Sequence, residues 1–174
     1  MINVSPESFY KGSVRVSAEE IAKTAVQQVE EGADIIDIGA RSTAPYLETA
    51  IPIEEEIRRM VQAIKAVKEV VDVSISADTM YSRVAEEALK AGAEIINDVS
   101  GLKEDPNMAR VIAEWGASLI ASAREDRPAR GEPIERVCKA LRKSLEIAEE
   151  AGVELEKVVI DPAIGFFRNT EWPW

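Results

Sequence analysis

The chain has 174 residues, of which 46% are hydrophobic and 30% charged, and a formal net charge of −11. This balance is typical of a folded globular domain, and the negative charge argues against nucleic acid as a partner, because phosphate backbones would be repelled. The sequence contains no histidine and a single cysteine, Cys138, so its residues exclude histidine acid–base chemistry, histidine metal ligands and an internal disulfide.

Short apolar runs alternate with longer amphipathic stretches along the chain. Met1–Val4 is interpreted as the end of a first strand, and Ser17 with Glu20 forms a capping-box pattern before the first helix. Five further strands are predicted at Asp34–Ile38, Val73–Ala77, Glu94–Asn97, Ala117–Ala121 and Val158–Ile160. Five helices are predicted between them, at Ala18–Glu31, Ile53–Val70, Tyr81–Ala91, Pro106–Trp115 and Pro133–Ala151.

Glycine stands at the end of four predicted helices, at Gly32, Gly92, Gly116 and Gly152. Each position suits a helix C-cap, after which the chain turns quickly into the next strand. The repeated short loop indicates a repeated βα unit. The strands are nearly continuous apolar runs, which predicts a parallel sheet buried on both faces.

Two parallel architectures compete, an open doubly wound sheet and a (β/α)8 barrel. The glycine-rich turn of a doubly wound nucleotide binder is absent from the sequence. Polar residues instead follow several successive strands, as in barrel active sites. The predicted fold class is therefore α/β, a TIM-type (β/α)8 barrel. Because a complete barrel needs about 250 residues, we expect residues 1–174 to form one truncated domain, incomplete at both ends, from part of β1 through β6.

Carboxylates and amides stand at the predicted strand ends, where buried polar groups make directional hydrogen bonds. Asp78, Asn97 and Asp161 together suit a flat heterocycle with N–H donors and ring-nitrogen acceptors. Each has a structural alternative: Asp78 as a helix N-cap, Asn97 or Asp98 as a turn residue, and Asp161 as a turn opener before proline. Asp37 lies inside an apolar strand, where a satisfied internal ion pair is the alternative.

Four motifs in order resemble the signatures of the dihydropteroate synthase family. They are Asn3-Val-Ser-Pro-Glu-Ser-Phe, Ile35-Ile-Asp-Ile-Gly-Ala-Arg-Ser-Thr-Ala-Pro, Ile96-Asn-Asp-Val-Ser-Gly and Ile160-Asp-Pro-Ala-Ile-Gly-Phe. The resemblance implies a transferase that joins 6-hydroxymethyl-dihydropterin diphosphate to p-aminobenzoate and releases pyrophosphate. Asp78, Asn97 and Asp161 would bind the pterin, with Asp78 and Asp161 also stabilising positive charge as catalytic residues.

The resemblance also implies the rest of the site. Asn3 would help hold Mg²⁺ on the diphosphate, Ser42 and Thr43 would lie near the diphosphate, and Phe166 would lie near the arylamine path. Hard oxygen ligands without histidine suit Mg²⁺ rather than Zn²⁺. A homodimer of the full-length protein is the expected assembly.

The second signature of the family usually reads E-S-T-R-P, whereas this chain has Arg41 in place of the glutamate and Ala44 in place of the arginine. Ala121-Ser122 stands where a methionine–histidine pair is frequent. These changes leave the arylamine open between p-aminobenzoate and the ribofuranosyl-aminobenzene phosphate of related archaeal enzymes.

Two other functions are also compatible with the sequence. One is a corrinoid-dependent methyltransferase domain that binds methyl-tetrahydrofolate on a related barrel, and the other is a non-catalytic pterin-binding module. No apolar run approaches the ~20 residues of a membrane span and no signal pattern begins the chain, so we expect a cytoplasmic protein without a membrane partner.

Overall fold

The computed structural model describes residues 1–4, 17–41, 51–125 and 132–164, and these form alternating strands and helices. The strands are β1 Ile2–Asn3, β2 Ile35–Gly39, β3 Ser74–Asp78, β4 Ile95–Asp98, β5 Ser118–Ser122 and β6 Val158–Asp161. The helices are α1 Ala18–Glu30, α2 Ile53–Lys68, α3 Ser82–Ala91, α4 Met108–Trp115 and α5 Pro133–Glu150, and a 3-10 helix at Leu155–Lys157 precedes β6.

All six strands lie parallel in one sheet, in the order β1-β2-β3-β4-β5-β6. A doubly wound sheet reverses its strand order at a switch point, and no reversal occurs here. Crossovers between parallel neighbours are right-handed as a rule, which places successive helices on the same side of the sheet, as in a barrel wall. In the described part of the chain β1 and β6 do not pair, so the sheet is an open arc of six strands.

The helix-facing side of the sheet forms the hydrophobic core. Ile36, Ile75, Ile96 and Leu119 each occupy the second position of their strand and are at most 2% exposed. They pack with the apolar stripes of the helices, which include Met60, Ile64, Met108 and Ile112. The other face is exposed at Ile35 and Val159 but buried at Ser76 and Asp78, so the prediction of burial on both faces holds only in part for the described arc, which is not closed.

Helix ends follow the local sequence. The Glu20 amide donates to the Ser17 hydroxyl at 3.1 Å, which confirms the predicted cap of α1. Helix α3 ends on Gly92, whose positive φ of 112° a side chain rarely adopts. None of the helices within the described ranges is long and apolar enough to cross a membrane.

Candidate functional site

Polar side chains gather on the sheet face that points away from the helices. The register pairs Asn3 with Gly39, Gly39 with Asp78, and Asp78 with Asn97. Because side chains alternate along a strand, residues paired across neighbouring strands share a face. Asp161, paired with Ser122, lies on this face too, two residues further along than the row of Asn97. The structure thus places Asn3, Asp78, Asn97 and Asp161 at the carboxyl end of one face.

Asp78 is a buried carboxylate with an unused acceptor. Its side chain is 6% exposed, and its Oδ1 atom has no hydrogen-bond partner among the described residues. Burial raises the pKa of Asp78 well above its usual value, and the negative charges of Asp37, Glu56 and Asp98 add to the rise. The charged form of Asp78 is therefore destabilised in the ligand-free site.

The alternative that Asp78 caps α3 is wrong. The Ser82 amide at the start of that helix donates to Asp105 Oδ2 at 2.8 Å. Asp105 therefore caps α3 from the loop after β4, which leaves the carboxylate of Asp78 on the sheet face.

Asn97 of β4 and Asp37 of β2 contact each other across the strand between them, β3. Asn97 Nδ2 lies 3.4 Å from Asp37 Oδ1, at the long end of a hydrogen bond. Burial raises the pKa of Asp37, and hydrogen bonding opposes the rise. The predicted internal ion pair of Asp37 is thus an amide–carboxylate contact, and it restricts the Asn97 side chain beside Asp78.

Asp98, the neighbour of Asn97, points to the opposite face and has a structural role. Its side chain is fully buried, with Oδ1 accepting from the Ser100 amide at 2.7 Å and Oδ2 from the Leu102 amide at 2.8 Å. Leu102 has a positive φ of 68°, so these bonds hold a tight turn after β4. The turn alternative therefore applies to Asp98, whereas Asn97 faces the site.

Asp161 is held at both carboxylate oxygens. The Ser122 hydroxyl donates to Oδ2 at 3.0 Å, and the Ala163 amide donates to Oδ1 at 2.9 Å. The second bond closes a turn across Pro162, so the turn-opener interpretation is correct. It does not exclude a ligand, because a carboxylate has about four acceptor positions.

Three predicted site residues, Ser42, Thr43 and Phe166, lie outside the described residues, as does Ala44. Asn3 is 9% exposed in β1, next to Gly39 of β2. Within the described ranges no group of three or more Cys, Asp or Glu side chains is arranged to hold a metal ion. The structure thus brings Asn3, Asp78, Asn97 and Asp161 to one face, and Asn3 offers a single hard oxygen donor for a cation.

Sequence reasoning missed Glu56 of α2, which is 1% exposed behind the end of β3. Its Oε1 atom accepts from the Thr79 hydroxyl at 2.8 Å, and its Oε2 atom lies 3.6 Å from Arg41 Nε. The Arg41 guanidinium also lies 4.8 Å from the ring centre of Tyr81 and donates to its hydroxyl at 3.2 Å. The helical spacing of the sequence could have indicated that Glu56 is buried. It lies on one buried stripe of α2 with Met60, Ala63 and Val67.

Known proteins are similar to this chain in sequence and in fold. The family model described as pterin binding enzyme matches residues 1–172. The dihydropteroate synthase of Clostridium beijerinckii is 37% identical over 171 residues, 98% of this chain and 63% of the relative. That of Bacillus subtilis is 39% identical over 171 residues, 97% of this chain and 59% of the relative. The chain thus spans about 60% of the length of these relatives.

Solved structures agree with the sequence comparison. The dihydropteroate synthase of Clostridium difficile, crystallised in the presence of pteroic acid, superposes with a TM-score of 0.85 at 38% identity, covering 95% of this chain and 63% of that chain. The Xanthomonas albilineans dihydropteroate synthase with 4-aminobenzoic acid superposes with a TM-score of 0.83 at 32% identity. The match covers 95% of this chain and 60% of that chain. These neighbours are TIM-barrel enzymes, so the predicted fold class is confirmed, and this chain corresponds to part of that barrel. The chain belongs to the family of pterin binding enzymes.

Proposed function

We propose that this chain forms the pterin-binding part of a dihydropteroate synthase. The reaction would join 6-hydroxymethyl-7,8-dihydropterin diphosphate to p-aminobenzoate or a related arylamine and release pyrophosphate. The observation that carries the proposal is the buried carboxylate of Asp78, with an unpaired Oδ1, on the same face as Asn97 and Asp161. The relatives are dihydropteroate synthases, and two of the solved neighbours were determined in the presence of pteroic acid or with 4-aminobenzoic acid.

A bound pterin would supply the hydrogen-bond donor that Asp78 Oδ1 lacks. A pterin ring carries an amino group and ring N–H groups, and an unpaired buried acceptor gains most from such donors. Asn97 both donates and accepts, so it can read the ring edge beside Asp78. Asp161 approaches from the other end of the arc and contributes its remaining acceptor positions.

The same carboxylates support the chemistry. Breaking the C–O bond to the diphosphate leaves a positive charge that spreads into the pterin, and the amine nitrogen then forms the new C–N bond and loses a proton. Anionic Asp78 and Asp161 would stabilise that positive charge in a site of low dielectric. The arylamine needs little activation beyond correct placement.

We propose that Asn3 contributes to a Mg²⁺ site. An amide oxygen is a ligand that Mg²⁺ accepts, and this ion usually keeps several waters and shares substrate phosphates instead of filling an all-protein cage. One protein oxygen at the carboxyl end of β1 fits that pattern. The ion would neutralise the departing pyrophosphate. Ser42 and Thr43 near the diphosphate and Phe166 near the arylamine remain proposals, as does a homodimer of the full-length protein.

Titration of the chain with the pterin diphosphate, followed by addition of p-aminobenzoate and Mg²⁺, tests the proposal. We expect pterin binding in the calorimeter and pyrophosphate release that requires Mg²⁺. A chain that binds no pterin contradicts the proposal. Tight pterin binding without turnover by the full-length protein favours the non-catalytic module, and methyl transfer to a corrinoid protein favours the methyltransferase.

A matched pair of aspartate variants tests the pocket. Asp161→Ala should weaken pterin binding about 100-fold, because ligand donors are left without a charged acceptor. Asp72→Ala is the control, since Asp72 is exposed and precedes β3 at the other edge of the sheet. Equal affinity in both variants would reject a pterin pocket that includes Asp161.

A further inference from the structure

Strand β5 ends on Ser122, a serine that is 3% exposed and lies on the pterin-facing side of the sheet. We propose that Ser122 is a positioning residue that holds the carboxylate of Asp161 in the orientation in which it meets the ligand. The inference rests on the proposed function, because it concerns the same site. It gives a role to a position where the family signature frequently has a histidine.

The contact is direct and buried. Ser122 Oγ donates to Asp161 Oδ2 at 3.0 Å, and the two residues are register partners on neighbouring parallel strands. The Ala123 amide donates to the Asp161 carbonyl oxygen at 2.8 Å, which fixes the two backbones beside the contact. The side-chain bond therefore forms between two anchored positions.

The other side of Ser122 is also fixed. Gly101, in the turn after β4, approaches the Ser122 carbonyl oxygen so closely that an added Cβ would collide with it. A buried hydrogen-bonded turn, closed by Asp98, holds Gly101 in that place. The backbone of Ser122 is thus held between the β4 turn and β6, so its hydroxyl projects toward Asp161 from a fixed position.

Both oxygens of Asp161 are constrained as a result. Oδ1 accepts from the Ala163 amide at 2.9 Å, and Ala163 has a positive φ of 53°, which an alanine adopts at a cost. One bond to each oxygen sets both side-chain torsions of Asp161. Each oxygen keeps a further acceptor position, so a ligand meets a carboxylate that is already oriented.

Two serine variants and one control test the role in ligand binding. Ser122→Ala should weaken the binding of 6-hydroxymethylpterin about 10-fold, the loss of one hydrogen bond to a charged group. Ser122→Thr keeps the hydroxyl and should restore the affinity to within about 3-fold of the wild type. Ser74→Ala removes another serine–carboxylate bond, 2.6 Å to Glu94 on the surface, and should leave the affinity unchanged.

A ligand-free measurement separates this inference from the proposed function. In protein labelled with ¹³C at aspartate, the Asp161 carboxyl resonance, assigned with Asp161→Asn, should move in Ser122→Ala and stay in place in Ser74→Ala. If the wild type binds no pterin but the Asp161 resonance still moves in Ser122→Ala, the proposed function is refuted and the positioning contact is supported. An unmoved resonance, or wild-type affinity in a folded Ser122→Ala, overturns the inference.

Discussion

Arg41 Nε lies 3.6 Å from Glu56 Oε2, and both atoms are buried without a hydrogen-bond partner among the described residues. The pair joins the end of β2 to helix α2 directly behind the site. Burial raises the pKa of Glu56, while the Thr79 hydroxyl and the Arg41 charge oppose the rise. The arginine that departs from the family signature thus offsets the charge of a buried carboxylate.

Arg41→Met should destabilise the fold. The variant leaves Glu56 buried without its cation, and breaking a buried ion pair from one side costs about 3 kcal/mol or more. Chemical denaturation of wild type and variant, followed by circular dichroism, measures the loss in the free energy of unfolding. Arg41→Met combined with Glu56→Gln should recover most of it, because the unpaired charge is then absent.

An exposed ion pair between helices α2 and α3 is the control for that prediction. Arg83 and Glu54 lie 2.6 Å apart, but their side chains are 62% and 71% exposed. Arg83→Met should change the free energy of unfolding by no more than about 1 kcal/mol, as for other surface pairs. Equal losses of unfolding free energy in the Arg41 and Arg83 variants would show that the buried pair contributes no more to stability than the exposed pair.

Much of this architecture follows from sequence periodicity. The six strands and five helices lie within about two residues of their predicted bounds, because apolar runs and capping residues act locally. Alternation along β4 also separates Asn97 from Asp98, since neighbours on a strand face opposite sides. The polar strand ends thus predicted that Asn3, Asp78, Asn97 and Asp161 share one face of the sheet.

Long-range contacts were not predictable in the same way. The bond from Ser122 to Asp161 spans 39 positions and depends on the register of β5 and β6, which no local pattern sets. The contact between Arg41 and Tyr81 likewise depends on how two loops meet. Glu56 stands in a run of three glutamates that looks like a solvated helix face, and only its spacing to Met60 marks it as buried.

Neighbouring residues of β4 should separate ligand binding from stability. Asn97→Ala should weaken pterin binding about 10-fold and leave the fold nearly unchanged, because Asn97 faces the half-buried side of the sheet. Asp98→Ala should cost about 3 kcal/mol, since the buried Ser100 and Leu102 amides lose their acceptor. Calorimetric titration and denaturation of both variants measure the two effects, and the reverse pattern would contradict the assigned faces.

Asp78→Asn should stabilise the ligand-free protein at neutral pH. The pKa of Asp78 is raised in the folded state, so the unfolded chain releases this proton at lower pH than the folded one does. Stability of the wild type therefore falls as pH rises from the unfolded pKa, about 4, through the folded pKa. The asparagine variant lacks this group, and we expect a gain of about 1–3 kcal/mol at pH 7 that disappears below about pH 4.

Denaturation of wild type and Asp78→Asn across the pH range measures that difference. Asp72→Asn, at an exposed position, should show no comparable gain at any pH. The stabilised variant should also bind pterin more weakly, because an asparagine amide has one acceptor oxygen where a carboxylate has two. The unpaired carboxylate would thus lower stability while it improves ligand binding. A variant that is less stable than the wild type at pH 7 would contradict the assignment of Asp78 as a buried acid whose pKa is raised by folding.

Gly101→Ala should be more damaging than Gly116→Ala, although both glycines have nearly the same φ, 61° and 60°. A Cβ at Gly101 would collide with the Ser122 carbonyl oxygen and lie 2.6 Å from Ser144 Oγ, whereas at Gly116 the nearest atom is 3.9 Å away. Gly116→Ala then costs only backbone strain, about 1 kcal/mol, and Gly101→Ala costs this strain and a steric clash, about 3 kcal/mol in all. Because the clash displaces Ser122, pterin affinity should fall in Gly101→Ala and hold in Gly116→Ala. Parallel denaturation and titration of both variants give the result, and equal effects would show that the β4 turn does not clamp the end of β5.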